Sequence, residues 1–470
     1  MRRAAGGGRL HWCGAGMFGA ALLAFSPLAV GQTLADALAQ AYQSNPALNG
    51  ARATLRSVDE GVPQARAQAR PSAAVTGSVG GTETHAGVTR GRPTGTAASG
   101  YPNDWYSTTP RSVGVSVTQP IYKGGGIDAG VEQAEAIVLA QRAALLDTEQ
   151  TILLMAGSAY LDVVQAQALL DLQISFEAFR KRDLEAFRGR FAAGEVTRTD
   201  VSLQEAEVAS ATAARIAAEG TLVTASATFV KVVGARPGKL VLPKLGYSLP
   251  ASRDEAVAQA RGRSPKVVTA THSVSAAKAA IEVADSGLLP SVSVTASALH
   301  NLDRGRRDDF STAASLVANL TIPLDGGGVA AKSRAARQNA NVARINVEQA
   351  AATAEEAAIT AWQALATARA SIGSYEAAVK ANEMATAGMR QQVAVGSSTA
   401  IDLLNTEQTL LASRVNLVKS HHDEATSIFS LLAATGELTA QTLKLPVQYY
   451  DFEAHYNDVR GRWFGYGIDE

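Results

Sequence analysis

Apolar positions along the chain follow two periods in a fixed order, and that order occurs twice. Ala-rich stretches at about 34–68 and 253–287 have helical spacing, and each ends at a proline, Pro71 or Pro290. Alternation at period two follows, through Val75, Gly77 and Val79 in the first copy and Val292, Val294 and Ala296 in the second. Polar, Gly- and Pro-rich loops come next, and further alternating runs carry Val113, Val115 and Val117, or Leu316, Ala318 and Leu320. The pattern predicts strands at about 72–80, 112–120, 291–299 and 314–323, with Pro120 and Pro323 closing the second of each pair. A Gly triplet at 124–126 or 326–328 then turns the chain into proline-free helical regions at about 128–190 and 329–392. Some 60 helical residues reach roughly 90 Å. Ile372, Tyr375 and Val379 have the 3-then-4 spacing of a packed helix seam. Each region reverses near a glycine, Gly194 or Gly396, and a second helix returns. Such helices cannot hide their apolar stripes alone, so they must pack side by side.

The copies keep register. Ala39-Gln40-Ala41, Asn45-Pro46 and Arg70-Pro71-Ser72 recur as Ala258-Gln259-Ala260, Ser264-Pro265 and Leu289-Pro290-Ser291, all 219 residues on. The Gly triplets, Gly194 and Gly396, Asp200 and Asp402, Glu205 and Glu407, and Gly234 and Gly436 are all offset by 202. A constant offset on either side of one loop marks a tandem duplication, with some 17 extra residues in the first copy between Gly80 and Arg111. The expected organisation is a leader at 1–31, repeats at 32–236 and 253–436, a linker at 237–252 and a tail at 437–470.

Composition narrows the class. Lys plus Arg equals Asp plus Glu at 43 each, so no basic excess points to nucleic acid. Aromatics are 6% of the residues, which suits Ala-rich helical packing better than a compact enzyme core. The leader reads as a secretory signal: Arg2, Arg3 and Arg9 precede an apolar run from Met17 to Val30, with cleavage expected after Gly31. Its removal takes away three Arg and the sole cysteine, Cys13, leaving an exported, slightly acidic chain. No later stretch offers about 18–20 uninterrupted apolar residues, so a membrane crossing must use a closed β-barrel.

Four strands of about ten residues match a tilted bilayer crossing, yet known membrane barrels need about eight or more strands. Open edges are not tolerated in lipid, so the chain must share one barrel among copies. Two copies give eight strands and three give twelve. Helices continuous with those strands extend the barrel as a tube, and the architecture is a conduit.

The runs Thr118-Gln119-Pro120-Ile121-Tyr122-Lys123-Gly124-Gly125 and Thr321-Ile322-Pro323-Leu324-Asp325-Gly326-Gly327 resemble the strand-to-helix signature of the TolC family of outer-membrane efflux and secretion channels. The resemblance covers essentially the mature chain up to about Lys444. It implies a mainly α chain with a membrane β-barrel: a homotrimer whose twelve-strand barrel in outer-membrane lipid continues into a twelve-helix periplasmic tunnel. It also implies a passive channel, with no cofactor, driven by an inner-membrane ABC or other transporter through a periplasmic adaptor. Gln32 stands where the lipoprotein branch of resistance-type pumps carries cysteine. The segment 51–71 and the tail from Tyr450 to Trp463 look more like type I secretion members, which makes protein secretion the expected cargo class. Drug or small-molecule efflux is the alternative within the family, and a periplasmic coiled-coil scaffold the alternative outside it.

Gate and docking residues are placed by the same logic. Asp200 and Asp402 fall six residues after the reversal glycines, so an oligomer turns each into a ring of carboxylates that favours cations. Either could instead cap its returning helix. By resemblance Asp402 matches a gate-lining acid; Asn405 stands where relatives carry a second one, and Val393 and Ser398 where some carry locking Tyr and Arg. The resemblance assigns adaptor docking to the tips: Gly194, Val196, Thr197 and Thr199, and Gly396, Ser397, Ser398 and Thr399. Pro120, Gly124, Gly125, Pro323, Gly326 and Gly327 form the strand-to-helix turns.

Other motifs read blandly. Gly326 to Ser333 approaches a phosphate-binding loop, but Ala331 replaces the second glycine and the first copy lacks Lys-Ser. His421-His422-Asp423-Glu424 reads as a solvated helix face because adjacent helical residues do not converge, so no metal is expected. The Arg-Gly-Arg runs at 90–92, 304–306 and 460–462 read as solvated loops and tail. Tyr101, Trp105 and Tyr106 are candidates for an interfacial aromatic girdle.

Overall fold

The computed structural model describes residues 33–86, 104–243, 246–303 and 308–467. The leader with Cys13, Tyr101, and the Arg-Gly-Arg runs at 90–92 and 304–306 lie outside those residues. The first repeat comprises α1 (Leu34–Ser44), α2 (Pro46–Asp59), α3 (Gly61–Ala67), β1 (Ser72–Val79), β2 (Thr82–Ala86), β3 (Asp104–Thr108), β4 (Arg111–Lys123), α4 (Gly126–Ala192) and α5 (Arg198–Val233). The second runs through α6 (Arg253–Arg263), α7 (Pro265–Ser286), β5 (Ser291–Leu302), β6 (Phe310–Thr321), α8 (Gly328–Ala394) and α9 (Ala400–Ala434), and the tail adds α10 (Ala454–Val459).

Local chemistry sets many of these limits. Thr33 and Asp36 form a capping box at the start of α1, and Pro46 and Pro265 occupy first helical positions, where a missing N–H costs nothing. Helices α4 and α8 each hold 67 residues, about 100 Å of rise. Ala354, Ala358, Ala361, Leu365 and Ala368 are buried along α8 at alternating spacings of four and three. Ile372, Tyr375 and Val379 continue that row, half-buried. The main core gathers Leu38, Leu55, Leu153, Tyr160, Phe229, Phe429 and Leu432 from α1, α2, α4, α5 and α9 with Leu438 and Leu445 of the tail.

Four strands form one antiparallel sheet in the order β1-β4-β5-β6. Its register sorts side chains by polarity. One face carries Val75, Val79, Val113, Val115, Val117, Val292, Val294, Leu316 and Leu320; the other carries Ser78, Ser112, Ser116, Thr118, Thr295, Ser297 and Ser315. Hydroxyls meet across the polar face, as in Ser78–Ser112 at 2.8 Å and Ser297–Ser315 at 2.9 Å. The apolar face is exposed in the single chain, and β1 and β6 are open edges. An apolar outside, a polar inside and two free edges are what one share of a membrane barrel presents.

Two expectations need correction. Pro120 does not end its strand: β4 runs on to Lys123, and the register shifts between Pro120 and Tyr122 because proline has no N–H for the ladder. Pro323 lies beyond β6, which ends at Thr321. Helices α4 and α5 each contain an 18-residue window apolar enough to cross a membrane by composition, yet neither holds an uninterrupted apolar run, in keeping with the sequence reading. Half of the α4 window is buried by neighbouring helices; tolerance of isolated polar residues within a window, rather than an unbroken apolar run, makes the difference. The β2–β3 hairpin was also not anticipated; it prolongs β1 and β4 beyond Gly80 and Pro110, whose N–H and carbonyl meet at 2.9 Å.

Candidate channel entrance and docking tips

Both long helices end in the same hydrogen-bonded turn. Gly194 (φ +78°) and Gly396 (φ +77°) adopt left-handed backbone after α4 and α8. The N–H groups of Gly194 and Glu195 donate to the carbonyls of Phe191 and Arg190, both at 2.9 Å. Those of Gly396 and Ser397 donate to Val393 at 3.2 Å and Gln392 at 2.9 Å, which makes each end a Schellman motif. Nothing lies within 4 Å of where a Cβ would stand on either glycine, so backbone conformation rather than crowding demands glycine there.

The returning helices open with matching capping boxes. Thr197 Oγ1 accepts from the Asp200 N–H at 3.2 Å, while Asp200 Oδ2 accepts from the Thr197 N–H and hydroxyl at 2.9 and 2.7 Å. Thr399 and Asp402 repeat this at 3.2, 3.0 and 2.5 Å. The threonine hydroxyl, then its N–H, holds each carboxyl below the usual range, so both acids are ionised at neutral pH. Both caps engage Oδ2, leaving Oδ1 outside the cap. Cap and charged ring are therefore compatible roles. The two acids stand on separate hairpins, and Asn405 is exposed one turn beyond Asp402.

Of the other tip residues, Thr197, Thr199, Ser397 and Thr399 are exposed, and Val196 and Ser398 are half-covered. Their chemistry differs between copies. Arg190 pairs with Glu195 at 3.2 Å in the first tip. In the second, the hydroxyls of Ser397 and Ser398 donate to the carbonyl and side-chain oxygens of Gln392 at 3.1 and 3.0 Å.

Above the tips lies a cluster that sequence reasoning missed. Arg180 of α4 donates to Glu407 of α9 at 2.9 Å with both side chains buried, and Arg390 of α8 reaches the other Glu407 oxygen at 3.1 Å. Arg180 stacks 4.7 Å from the Phe176 ring centre and Arg390 4.6 Å from that of Phe179. Burial pushes the Glu407 carboxyl up against the pull of both arginines. Asp183, 3.8 Å from Arg180, is raised to about 6, first by burial and then by Glu407. The duplication held a signal: Arg188 and Glu205 stand 202 residues before Arg390 and Glu407 and pair at 2.8 Å.

The strand-to-helix turns are less alike than their sequences. Gly124 (φ +59°) would place a Cβ 2.7 Å from the Ser286 carbonyl and from Leu289 Cβ, so α7 packs directly on it. Gly125 and Gly327 take positive φ in open space, while Gly326 is neither left-handed nor crowded. Asp325 accepts from the N–H groups of Gly328, Val329 and Ala330 at 2.9–3.1 Å. The chain's own carboxylate thus occupies the helix N-terminus that a phosphate would need. His422 departs from the solvated-face reading: its Nε2 meets Asp162 of α4 at 2.8 Å, and its side chain is mostly covered. The run at 460–462 departs too, because the Arg460 and Arg462 carbonyls accept from Arg66 and Arg70. The side chains of Trp105 and Tyr106 lie outside the described residues.

Comparison with known proteins agrees with this geometry. A sequence model of the family described as Outer membrane efflux protein matches residues 37–235 and 256–437. The chain is 34% identical over 440 residues to the outer membrane efflux protein BepC of Brucella suis, covering 93% of this chain and 92% of that one. It shares its fold with the CmeC outer-membrane channel of Campylobacter jejuni (TM-score 0.74, 14% identity, 91% and 89% of the two chains). It does so equally with the outer-membrane protein VceC of Vibrio cholerae (TM-score 0.71, 19% identity, 86% and 96%). The TolC-type fold and the family's channel nature are thereby established, and proteins of this family work as homotrimers with an adaptor and an inner-membrane transporter. The chain belongs to the outer membrane efflux protein family, as an outer-membrane channel of tripartite export systems with a large periplasmic helical extension.

Proposed function

We propose that three copies of this chain close one barrel and one tube, forming the passive exit duct of a type I protein secretion system. The observation that carries the assembly is a pair of helix faces equivalent by duplication but unequal in burial. Within the chain α4 packs against α9, whereas α5 and α8 share no comparable contact. Ala425 and Leu432 of α9 are buried, yet their counterparts Val223 and Val230 on α5 are 69% and 39% exposed. With Ile216, at 55%, they form a stripe at intervals of seven. Sizes are swapped as well. Gly157 of α4 faces Phe429 of α9, with a Cβ position 3.2 Å from the ring; their counterparts are Ile359 of α8 and Ala227 of α5, large facing small in the opposite sense. A second copy laying α8 on α5 repeats the internal seam with complementary volumes.

In this reading Asp402, with Asp200 nearby, lines the entrance, and the two tips receive the adaptor, behind which an ABC or other transporter works. Segments 51–71 and 450–463 support protein cargo by their likeness to type I members. Small-molecule efflux is the second reading, favoured by the efflux designation of BepC. Val223→Asp with Ile216→Asp should abolish the heat-sensitive oligomer recovered from outer membranes; retained oligomer would sink the seam. Deleting the gene should remove a secreted protein from the medium, whereas unchanged secretion with new sensitivity to toxic small molecules would select efflux.

A further inference from the structure

Helix α3 and the end of α7 are counterparts at the offset of 219, but they have different neighbours. Each leans on the long helix of its own repeat through one ion pair of reversed sign, Arg66–Glu135 at 2.9 Å and Asp285–Arg337 at 3.2 Å. Helix α7 packs on α4 as well, where a Cβ on Gly126 would meet the Ser286 side chain. Helix α3 has no comparable contact with α8. Ala67 and Arg70, which match Ser286 and Leu289 in the duplication, line an open cleft of about 480 Å³ instead.

The other wall of that cleft is the tail, through Trp463, Phe464 and Tyr466. Arg70 fixes this wall: its guanidinium lies 4.6 Å from the Trp463 ring centre and donates to the Arg462 carbonyl at 2.8 Å. Arg462 in turn pairs with Asp458 at 2.8 Å. Even so, Trp463 is 58% exposed, Phe464 87% and Tyr466 fully. Three aromatic rings clamped in place yet left in water mark a contact surface.

The duplication identifies the partner. Helices α7 and α4 run antiparallel, since Ser286 lies at Gly126 while Lys266 and Asp147 share a groove at the other end. One turn on from Ser286 and Gly126, Glu282 comes opposite Gly130. Applying the two offsets puts Lys332 of a second copy opposite Pro63, which lines the cleft within one turn of Glu60. Nothing lies within 4 Å of a Cβ on Gly130, so that level has room for a long side chain. A cation there meets the Glu60 carboxylate and aromatic faces together. The bare flank of α8 extends farther: Ala129, Ala136 and Ala143 are buried at intervals of seven along α4, whereas their counterparts Ala331, Gln338 and Ile345 are exposed. Building on the assembly proposed above, we infer that the cleft seats the first turns of α8 from the adjacent copy, with Trp463, Phe464 and Tyr466 closing over Lys332. The tail is then a strap that continues the α5–α8 seam along the tube to the base of the barrel.

Cross-linking between copies tests this in the full chain. Lys332→Cys and Phe464→Cys, both at exposed positions, are placed on separate copies with different tags and expressed together. Cys13 lies in the expected leader and does not compete. A short bismaleimide applied to outer membranes should join the two tags in one heat-resistant dimer. Phe464→Cys should not join Ser397→Cys at the far tip. Heat-sensitive oligomer without the 332–464 link overturns the seat and leaves the duct standing. Equal linkage among copies carrying Phe464→Cys alone also overturns it, because tail would then lie against tail. Loss of the oligomer from unsubstituted chains would overturn the assembly reading and the seat with it. Replacing Trp463, Phe464 and Tyr466 by Ser should lower the temperature at which the oligomer dissociates, and an unchanged temperature overturns the strap.

Discussion

The two helical hairpins share a backbone and differ in chemistry. Both end in a Schellman turn and restart with a Thr–Asp capping box, and both carry an Arg–Glu pair at the same register. The Arg188–Glu205 pair is half-exposed, but Arg390–Glu407 is joined by Arg180 from the other hairpin and Glu407 is buried. The counterpart of Arg180 is Asn382, which donates to Ser413 at 2.8 Å instead. Duplication therefore fixed the fold of each hairpin, whereas its neighbours decided whether the same ion pair sits in water or inside a seam. The seam within one chain carries an ionic clamp, and at the matching place in the proposed seam between copies Asn382 stands where Arg180 does.

Four substitution pairs and one titration test this contrast, the largest effect first. Glu407→Ala strands two arginines, one of them buried, and should destabilise the hairpin region by about 3–5 kcal/mol. Glu205→Ala removes an exposed pair and should cost about 0–1 kcal/mol. Denaturant melts of the two variants with equal loss would erase the distinction. Gly124→Ala is strained in the left-handed region and presses on the Ser286 carbonyl and Leu289, about 2–4 kcal/mol, whereas Gly326→Ala should stay within about 0.5 kcal/mol. Comparable melting shifts would mean that the two turns are equivalent after all. Thr197→Ala and Thr399→Ala should each cost about 1 kcal/mol, read as faster hydrogen exchange at the start of α5 and α9. A marked inequality would show that one cap is held by something else.

Titration separates the hairpins further. Asp183 rises from an ordinary value near 3.8 to about 6 in the fold, so the folded state binds its proton more tightly. Its contribution is full below about pH 4 and is lost as pH climbs to about 6. Hydrogen exchange in the 177–190 stretch should quicken over that window, and Asp183→Asn should flatten the response. A response that survives Asp183→Asn would assign it to Glu407. The smallest effect concerns charge alone. Asp402→Asn should lower cation selectivity and multivalent-cation block in single-channel records, without loss of assembly. Asp200→Asn is the companion measurement, and unchanged records in both would leave the two acids as helix caps.

The legible part of the molecule was the part governed by local rules. Period-two alternation marked all four strands of the main sheet because a barrel strand must segregate polarity between its two sides. Proline-free, Ala-rich runs marked the long helices, and a glycine at each reversal marked the tips because only glycine takes that φ cheaply. Thr197 and Asp200, like Thr399 and Asp402, could be read as helix starts from spacing alone. The offset of 202 even exposed Glu205 and Glu407 as counterparts.

What spacing could not supply was the neighbour across the seam. Arg180 and Glu407 are 227 residues apart, and only the packing of α4 on α9 makes them partners and buries them. The same holds for His422 with Asp162, and for Arg66 and Arg70 with carbonyls of a tail nearly 400 residues away. Gly124 and Gly326 look identical in sequence and differ only because α7 lies on the first. Sequence by itself determined the repeat, the polarity of the sheet faces and the helix ends, since each depends on residues a few positions apart. Tertiary structure alone decided which charges are buried, which glycines are indispensable and where the tail lies, because desolvation and steric contact are set by what is near in space.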